Sequence, residues 1–208
     1  MAQDLLQGIA WLGHASFRIA TPDCVIYVDP WKLPTKAVPA DLILITHEHH
    51  DHFSPEDLDK IRTPDTTVVS IAPVTSKLSG DLHTVEAGDQ LTVKGIDIEV
   101  IPAYNVDKNF HPRSKGGVGY IMTVGGRRIY HAGDTDAIPE MADIQADVAL
   151  MPIGGKYTMD AKEAAAIVNK IQPSIAIPMH WGDLVGKRDD ALAFRKECTV
   201  PVTIIEAE

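Results

Sequence analysis

Four histidines and two acidic residues follow one another in His47-Glu48-His49-His50-Asp51-His52, one residue after the apolar run Leu42-Ile43-Leu44-Ile45. Imidazole and carboxylate groups are costly to pack into a core, because each gives up hydration on burial. A divalent cation offsets that cost, and such nitrogen and oxygen donors suit zinc, iron, manganese or nickel. His47 and His49 lie two apart, so an extended backbone projects both to one side. Asp51 and His52 follow a bend and can face a second cation, so one short loop could serve two ions. His50 is the spacer and reads as exposed or supporting rather than ligating.

The elements that must position these groups repeat one design, an apolar strand ending in a polar or metal-competent residue. Residues 42–45 end in His47, 98–101 in Pro102-Ala103-Tyr104-Asn105, 128–130 in His131-Ala132-Gly133-Asp134, and 175–179 in His180. Strand ends are where ligands gather in open α/β architectures, since the stiff backbone fixes the donors and the loops leave a cleft. Asp134, reached over Ala132-Gly133 with little bulk in the way, could bridge two ions, and His180 would complete the ligand set of the second ion. His131 reads as orienting Asp134 or packing, and His83 as surface. His14 fits the cleft edge and a structural hydrogen bond equally well. Tyr157, after Gly154-Gly155-Lys156, fits a pocket wall or ordinary packing.

Apolar runs and turn residues predict strands at residues 9–12, 16–20, 25–28, 42–45, 67–71, 91–93, 96–101, 118–124, 127–130, 148–151, 174–179 and 202–205. Helices are expected to open at Ser54-Pro55, after Pro73, at Asp160 with a capping-box partner at Glu163, and over 189–198. Lys94-Gly95 and Gly125-Gly126 read as hairpin turns. Early hairpins followed by alternating strand and helix imply a mixed α/β protein with at least two sheets. No internal repeat or linker is detectable, so residues 1–208 read as a single domain.

The formal net charge of −10 argues against a general nucleic-acid binder. It leaves room for an anionic substrate, with Arg113, Lys115, Lys187 and Arg188 as candidate local cations. No basic stretch followed by a long apolar segment opens the chain, so no signal peptide is expected, and no apolar run is long enough for a membrane helix. Cys24 and Cys198 are far apart and read as reduced, which fits a cytoplasmic protein. Homo-oligomerisation is left open.

The pattern His47-x-His49-x-Asp51-His52, with Gly133-Asp134-Thr135 and Pro178-Met179-His180 downstream, resembles the metallo-β-lactamase superfamily. The resemblance runs from Trp11-Leu12-Gly13-His14-Ala15-Ser16 through His180. It is closest to the small single-domain metal-dependent hydrolases, similar to the L-ascorbate-6-phosphate lactonase and N-acyl-phosphatidylethanolamine phospholipase branches. It implies a four-layer αββα sandwich with a dinuclear site at one edge of the sheets. One element departs: where the family places a third histidine for the first metal, this chain has Asn105. His111 is the favoured substitute, since imidazole binds these metals better than a neutral amide.

The expected activity is hydrolysis of an ester, lactone or phosphoester bond in a small, anionic substrate. Two ions roughly 3.5–4 Å apart would hold a bridging water as hydroxide, and would stabilise the developing oxyanion. Zinc is the first choice of metal, with manganese, iron or nickel as alternatives. The expected ligands are His47, His49, Asp51, His52, His111, Asp134 and His180, with Asp51, His14 and Tyr157 as candidate catalytic groups. Residues 105–119 read as a mobile flap carrying specificity or as a plain surface excursion, with His111 as the reason to favour the flap. Two other classes compete: an iron-dependent redox protein on a similar scaffold, and a metal-binding member without turnover.

Overall fold

The computed structural model describes residues 2–208, which form two six-stranded sheets. The first holds β1 (Ile9–Gly13), β2 (Ser16–Ala20), β3 (Val25–Val28), β4 (Leu42–Ile45), β5 (Thr67–Ser70) and β6 (Asp81–Thr84), side by side in chain order. The second holds β7 (Gln90–Val93), β8 (Ile96–Pro102), β9 (Val118–Val124), β10 (Arg127–His131), β11 (Val148–Pro152) and β12 (Ile175–Met179), again in chain order. Five α-helices accompany them: α1 (Ala2–Leu6), α2 (Pro55–Ile61), α3 (Ala72–Thr75), α4 (Ala161–Ile171) and α5 (Arg188–Glu197). The layers make an αββα sandwich.

Both sheets follow one plan, an antiparallel start that turns parallel. Strands β1 to β3 are antiparallel and β3 to β6 parallel. Strands β7 to β10 are antiparallel and β10 to β12 parallel. This duplication escapes the sequence because it is kept in topology and not in side chains.

Burial explains the strand compositions. Every residue of β4, β11 and β12 is buried, as expected for parallel strands covered on both faces. The sheets meet face to face through Tyr120 of β9, whose hydroxyl donates to the Ile45 carbonyl of β4 at 2.8 Å. Phe17 of β2 packs edge-on against His131 of β10 and is fully buried, so truncation to alanine would cost roughly 3–5 kcal/mol.

Local chemistry sets the boundaries. Gly125 and Gly126 carry φ of 58° and 76° between the paired residues Val124 and Arg127, the two-residue hairpin that needs positive φ at both positions. Ser54 accepts from Asp57 N to open α2. Asp160 accepts from Lys162 N and Glu163 N while Glu163 accepts from Asp160 N, completing the capping box of α4.

Three elements depart from expectation. Residues 202–205 make no strand and touch β12 through one bridge, Ala176 to Val202, since Pro201 has no N–H to extend a ladder. Helix α1 and strand β6 are not predicted; β6 is a polar edge strand with little apolar signal, and its His83 is exposed as expected. Among the described residues no helix is long and apolar enough to cross a membrane.

Candidate metal centre

Six strands deliver polar groups to one edge of the sandwich. His14 follows β1, Asp29 follows β3, His47 to His52 follow β4, Asn105 follows β8, Asp134 follows β10 and His180 follows β12. Three of these residues, His14, Asp29 and His180, take positive φ of 51°, 47° and 60°, so the chain turns sharply as each side chain enters the site.

One group is made of three imidazoles. His47 Nε2 and His49 Nδ1 approach to 3.0 Å, and His111 Nε2 lies 2.9 Å from the same His49 nitrogen. Their tautomers follow from the outer partners. Thr46 Oγ1 donates to Asp29 Oδ2 at 2.7 Å, so it accepts from His47 Nδ1–H at 3.0 Å, leaving His47 Nε2 with a free lone pair. His111 Nδ1–H donates to the Tyr157 carbonyl at 3.1 Å, leaving His111 Nε2 likewise bare. Three convergent nitrogens with at most one proton among them could serve as the donor set of a cation site.

The second group joins Asp51, His52 and His180, with His14 behind them. His52 Nδ1–H donates to Asp29 Oδ2 at 2.6 Å, which turns Nε2 toward Asp134 Oδ1 at 3.3 Å. His180 Nε2 lies 3.0 Å from Asp134 Oδ2, and His111 Nε2 lies 3.4 Å from that oxygen. Asp134 therefore stands between the two groups, where a bridging carboxylate is expected. His14 Nε2 sits 3.0 Å from Asp51 Oδ2, and its carbonyl accepts from His180 N and Trp11 Nε1. His14 thus does both things the sequence left open, anchoring the backbone and reaching the cleft group Asp51.

The residues fit bound cations. His52 Nε2, Asp134 Oδ1 and His180 Nε2 are buried and make no well-aligned hydrogen bond, a costly state unless something electropositive satisfies them. Electrostatics agree. Burial, aided by the neighbouring His52, pushes His47 well below its ordinary value, and burial also lowers His111, so both are neutral donors. Burial pushes Asp134 up, but His180 and His52 outweigh it and hold the carboxyl well below the usual range. Burial likewise raises Asp51, but the His14 hydrogen bond and His52 bring it below the carboxylate range. Burial lowers His52, yet Asp134 and Asp29 on either side lift it well above its ordinary value. Its proton fills the place of a positive charge between two carboxylates.

The structure places His111 and Asn105 differently. His111 joins the imidazole group, while the Asn105 amide donates to the carbonyls of Phe110 at 2.9 Å and Tyr157 at 2.7 Å. Backbone Asn105 N also donates to His111 O at 2.8 Å, closing the loop so that His111, at φ 53°, points inward. Several contacts tie this loop to the rest of the fold. Asp136 accepts from Val106 N and pairs with Lys108, and Glu140 pairs with Arg113 and accepts from Tyr104 OH. Tyr157 places its ring on the cavity wall and its carbonyl against His111.

Three of the four candidate cations are engaged elsewhere: Arg113 with Glu140, Lys187 with Asp189 and Arg188 with Glu206. Lys115 lines the cleft. His131 is fully buried, with Nε2 on the Ala15 carbonyl and Nδ1 accepting from Gly133 N, so it sets the turn that carries Asp134. His50 is exposed, as a spacer should be.

Sequence reasoning missed two contributors. Asp29 ends β3 in the same strand-then-polar design as the other sites, a signal that could have found it. Gly154 is the second: a Cβ there would stand 2.9 Å from His180 Nδ1 and 2.8 Å from His180 O, so only glycine leaves room for that imidazole. The turn at Gly133 meets the expectation of low bulk, since a Cβ would approach the Val118 carbonyl to 2.6 Å.

The profile of the beta-lactamase superfamily domain matches residues 8–180. A UPF0173 metal-dependent hydrolase of Methanopyrus kandleri is 32% identical over 209 residues, covering 91% of this chain and 90% of the relative. A Parabacteroides distasonis protein of known crystal structure superposes with a TM-score of 0.86 at 32% identity, covering 96% of this chain and 93% of that one. A metallo hydrolase from the archaeon Ignicoccus hospitalis superposes at 0.79 with 25% identity, covering 96% and 94%.

Proposed function

The chain belongs to the metallo-β-lactamase superfamily, and on that premise we propose that it is a two-metal hydrolase of an ester, lactone or phosphoester bond in a small molecule. The observation that carries the reading is the convergence of buried atoms without a well-aligned hydrogen bond on His52, Asp134 and His180, beside three imidazoles that share one focus. His47, His49 and His111 would hold one ion and Asp51, His52 and His180 the other, with Asp134 between them. Zinc is the first candidate, because imidazole-rich sets of low coordination number favour it.

Divalent cations in these places would polarise the scissile group and lower the pKa of a water toward ~7. The protein's own part is to orient and to move protons. Asp51 Oδ2 lies 3.0 Å from His14 Nε2, so the carboxylate has a fixed direction at the cleft, where it would orient the attacking water and pass a proton to the leaving group. His14 acts through Asp51. The Tyr157 side chain stands on the cavity wall, as a contact for the bound molecule. The free thiols of Cys24 and Cys198 fit the reducing cytoplasm.

The test is metal analysis with turnover. Purified protein should bind two ions per chain, hydrolyse generic esters or phosphodiesters with zinc, manganese or nickel, and lose activity on chelation. His49→Ala should reduce kcat/KM by about a hundredfold or more, a loss typical of removing one electrostatic catalytic contact. Full activity in the chelated protein would sink the reading.

A further inference from the structure

Two cavities open onto the ligand cluster, share His49, Phe110, His111 and Asp134, and differ in character. One, of about 360 Å³, adds Tyr157 and Leu184; the other, of about 220 Å³, adds Glu48, Asn109 and Lys115. Phe110 and Leu184 are 45% and 47% exposed although apolar, and the Phe110 ring meets the Tyr157 ring edge-on at 4.6 Å. Scattered exposed apolar side chains need no explanation. These two line one cavity together with His49, Asp51, His111 and Asp134, so apolar surface is exposed beside the candidate metal ligands, at the place where a substrate would sit.

The walls are held in place before anything binds. The Phe110 carbonyl accepts from the buried Asn105 amide, and beside Leu184 the Asp183 carboxylate pairs with Lys32 at 2.6 Å while Gly182 N donates to the Val185 carbonyl. A preformed apolar wall gains affinity by releasing water without first having to order itself. With Arg113, Lys187 and Arg188 engaged in ion pairs, Lys115, which lines the other cavity, is the candidate cation placed to meet a polar or anionic end.

We infer that the substrate is amphipathic: an acyl or alkyl group of several carbons lies against Phe110, Tyr157 and Leu184, the scissile bond lies over Asp134, and the polar end points toward Lys115. This rests on the hydrolase reading and gives it a substrate class.

The experiment has two arms on the zinc-loaded full chain. In the first, 4-nitrophenyl alkanoates of two to eight carbons are compared by kcat/KM, which should rise by about two- to fourfold per methylene over the first few carbons. In Leu184→Asp, with zinc content checked to be unchanged, that ratio between long and short esters should collapse toward one. In the second arm, calorimetry follows binding of alkylhydroxamic acids of the same lengths, and affinity should rise with length in the parent protein and not in Leu184→Asp. Flat dependence in binding overturns the inference, and if esters of every length are still hydrolysed the hydrolase reading stands. Length-dependent binding without hydrolysis of any ester supports the apolar subsite and counts against the hydrolase reading.

Discussion

The side-chain amide of Asn105 donates to the backbone carbonyl of Tyr157 at 2.7 Å, and His111 Nδ1 donates to that same carbonyl at 3.1 Å. A residue that reads as a deficient metal ligand is the clamp that brings the imidazole six positions later into the cluster. The shared acceptor matters because it fixes both the position of His111 and its tautomer, with Nε2 bare toward the other imidazoles.

Asn105→Ala should therefore weaken metal binding without removing a ligand. We expect affinity for one of the two ions to fall by about ten- to a hundredfold while the other is retained, the scale for loss of a supporting partner. Titration of metal-free protein against a chromophoric chelator measures both steps. Two unaltered affinities in the variant would show that His111 does not depend on the clamp.

Asp29 should matter as much as a ligand. Its carboxylate accepts from His52 Nδ1–H, from Thr46 N at 2.8 Å and from Thr46 Oγ1, and is fully buried. In Asp29→Asn the amide nitrogen cannot accept, so at least one donor loses its partner, at a cost of roughly 1–3 kcal/mol each to the metal-free fold. Affinity at the ion bound by His52 should drop by about ten- to a hundredfold. Urea unfolding and chelator competition read the two effects separately, and a variant matching the parent in both would contradict the role.

Metal uptake should release protons. In the metal-free protein His52 is raised well above 6.5, chiefly against burial by Asp134 and Asp29, and must lose its proton to ligate. Affinity should climb as pH rises through neutrality and level off once His52 is deprotonated. Calorimetry in buffers of different ionisation enthalpy counts the protons; no release at pH 7 would refute the assignment.

The same shifts set the stability of the metal-free fold. The raised His52 contributes stability that is complete below 6.5 and lost as pH climbs through its folded value. The lowered His47 and His111 act oppositely, because below 6.5 the unfolded chain binds protons that the fold refuses. The lowered Asp51 and Asp134 add stability above 3.8 that is lost as pH falls through their folded values. Thermal unfolding with a chelator should show a maximum near neutral pH, with losses on both sides. Zinc should remove the alkaline loss, since His52 is then already deprotonated.

The sequence alone determined the part of this protein that depends on neighbours along the chain. Apolar runs such as Leu42–Ile45 announced buried strands, Gly125-Gly126 announced a hairpin, and histidines packed beside a strand end announced a metal site because that grouping has few other uses. Only the tertiary structure decided what depends on approach across the fold. Asp29 is one acidic residue among many until His52, 23 positions away, comes within 2.6 Å. Asn105 is a failed ligand until the loop closes on Tyr157, and Arg113 is a candidate substrate cation until Glu140 meets it. A residue's type limits what it can donate or accept, but its partner is set by which strands lie side by side, and that follows from burying both sheets at once.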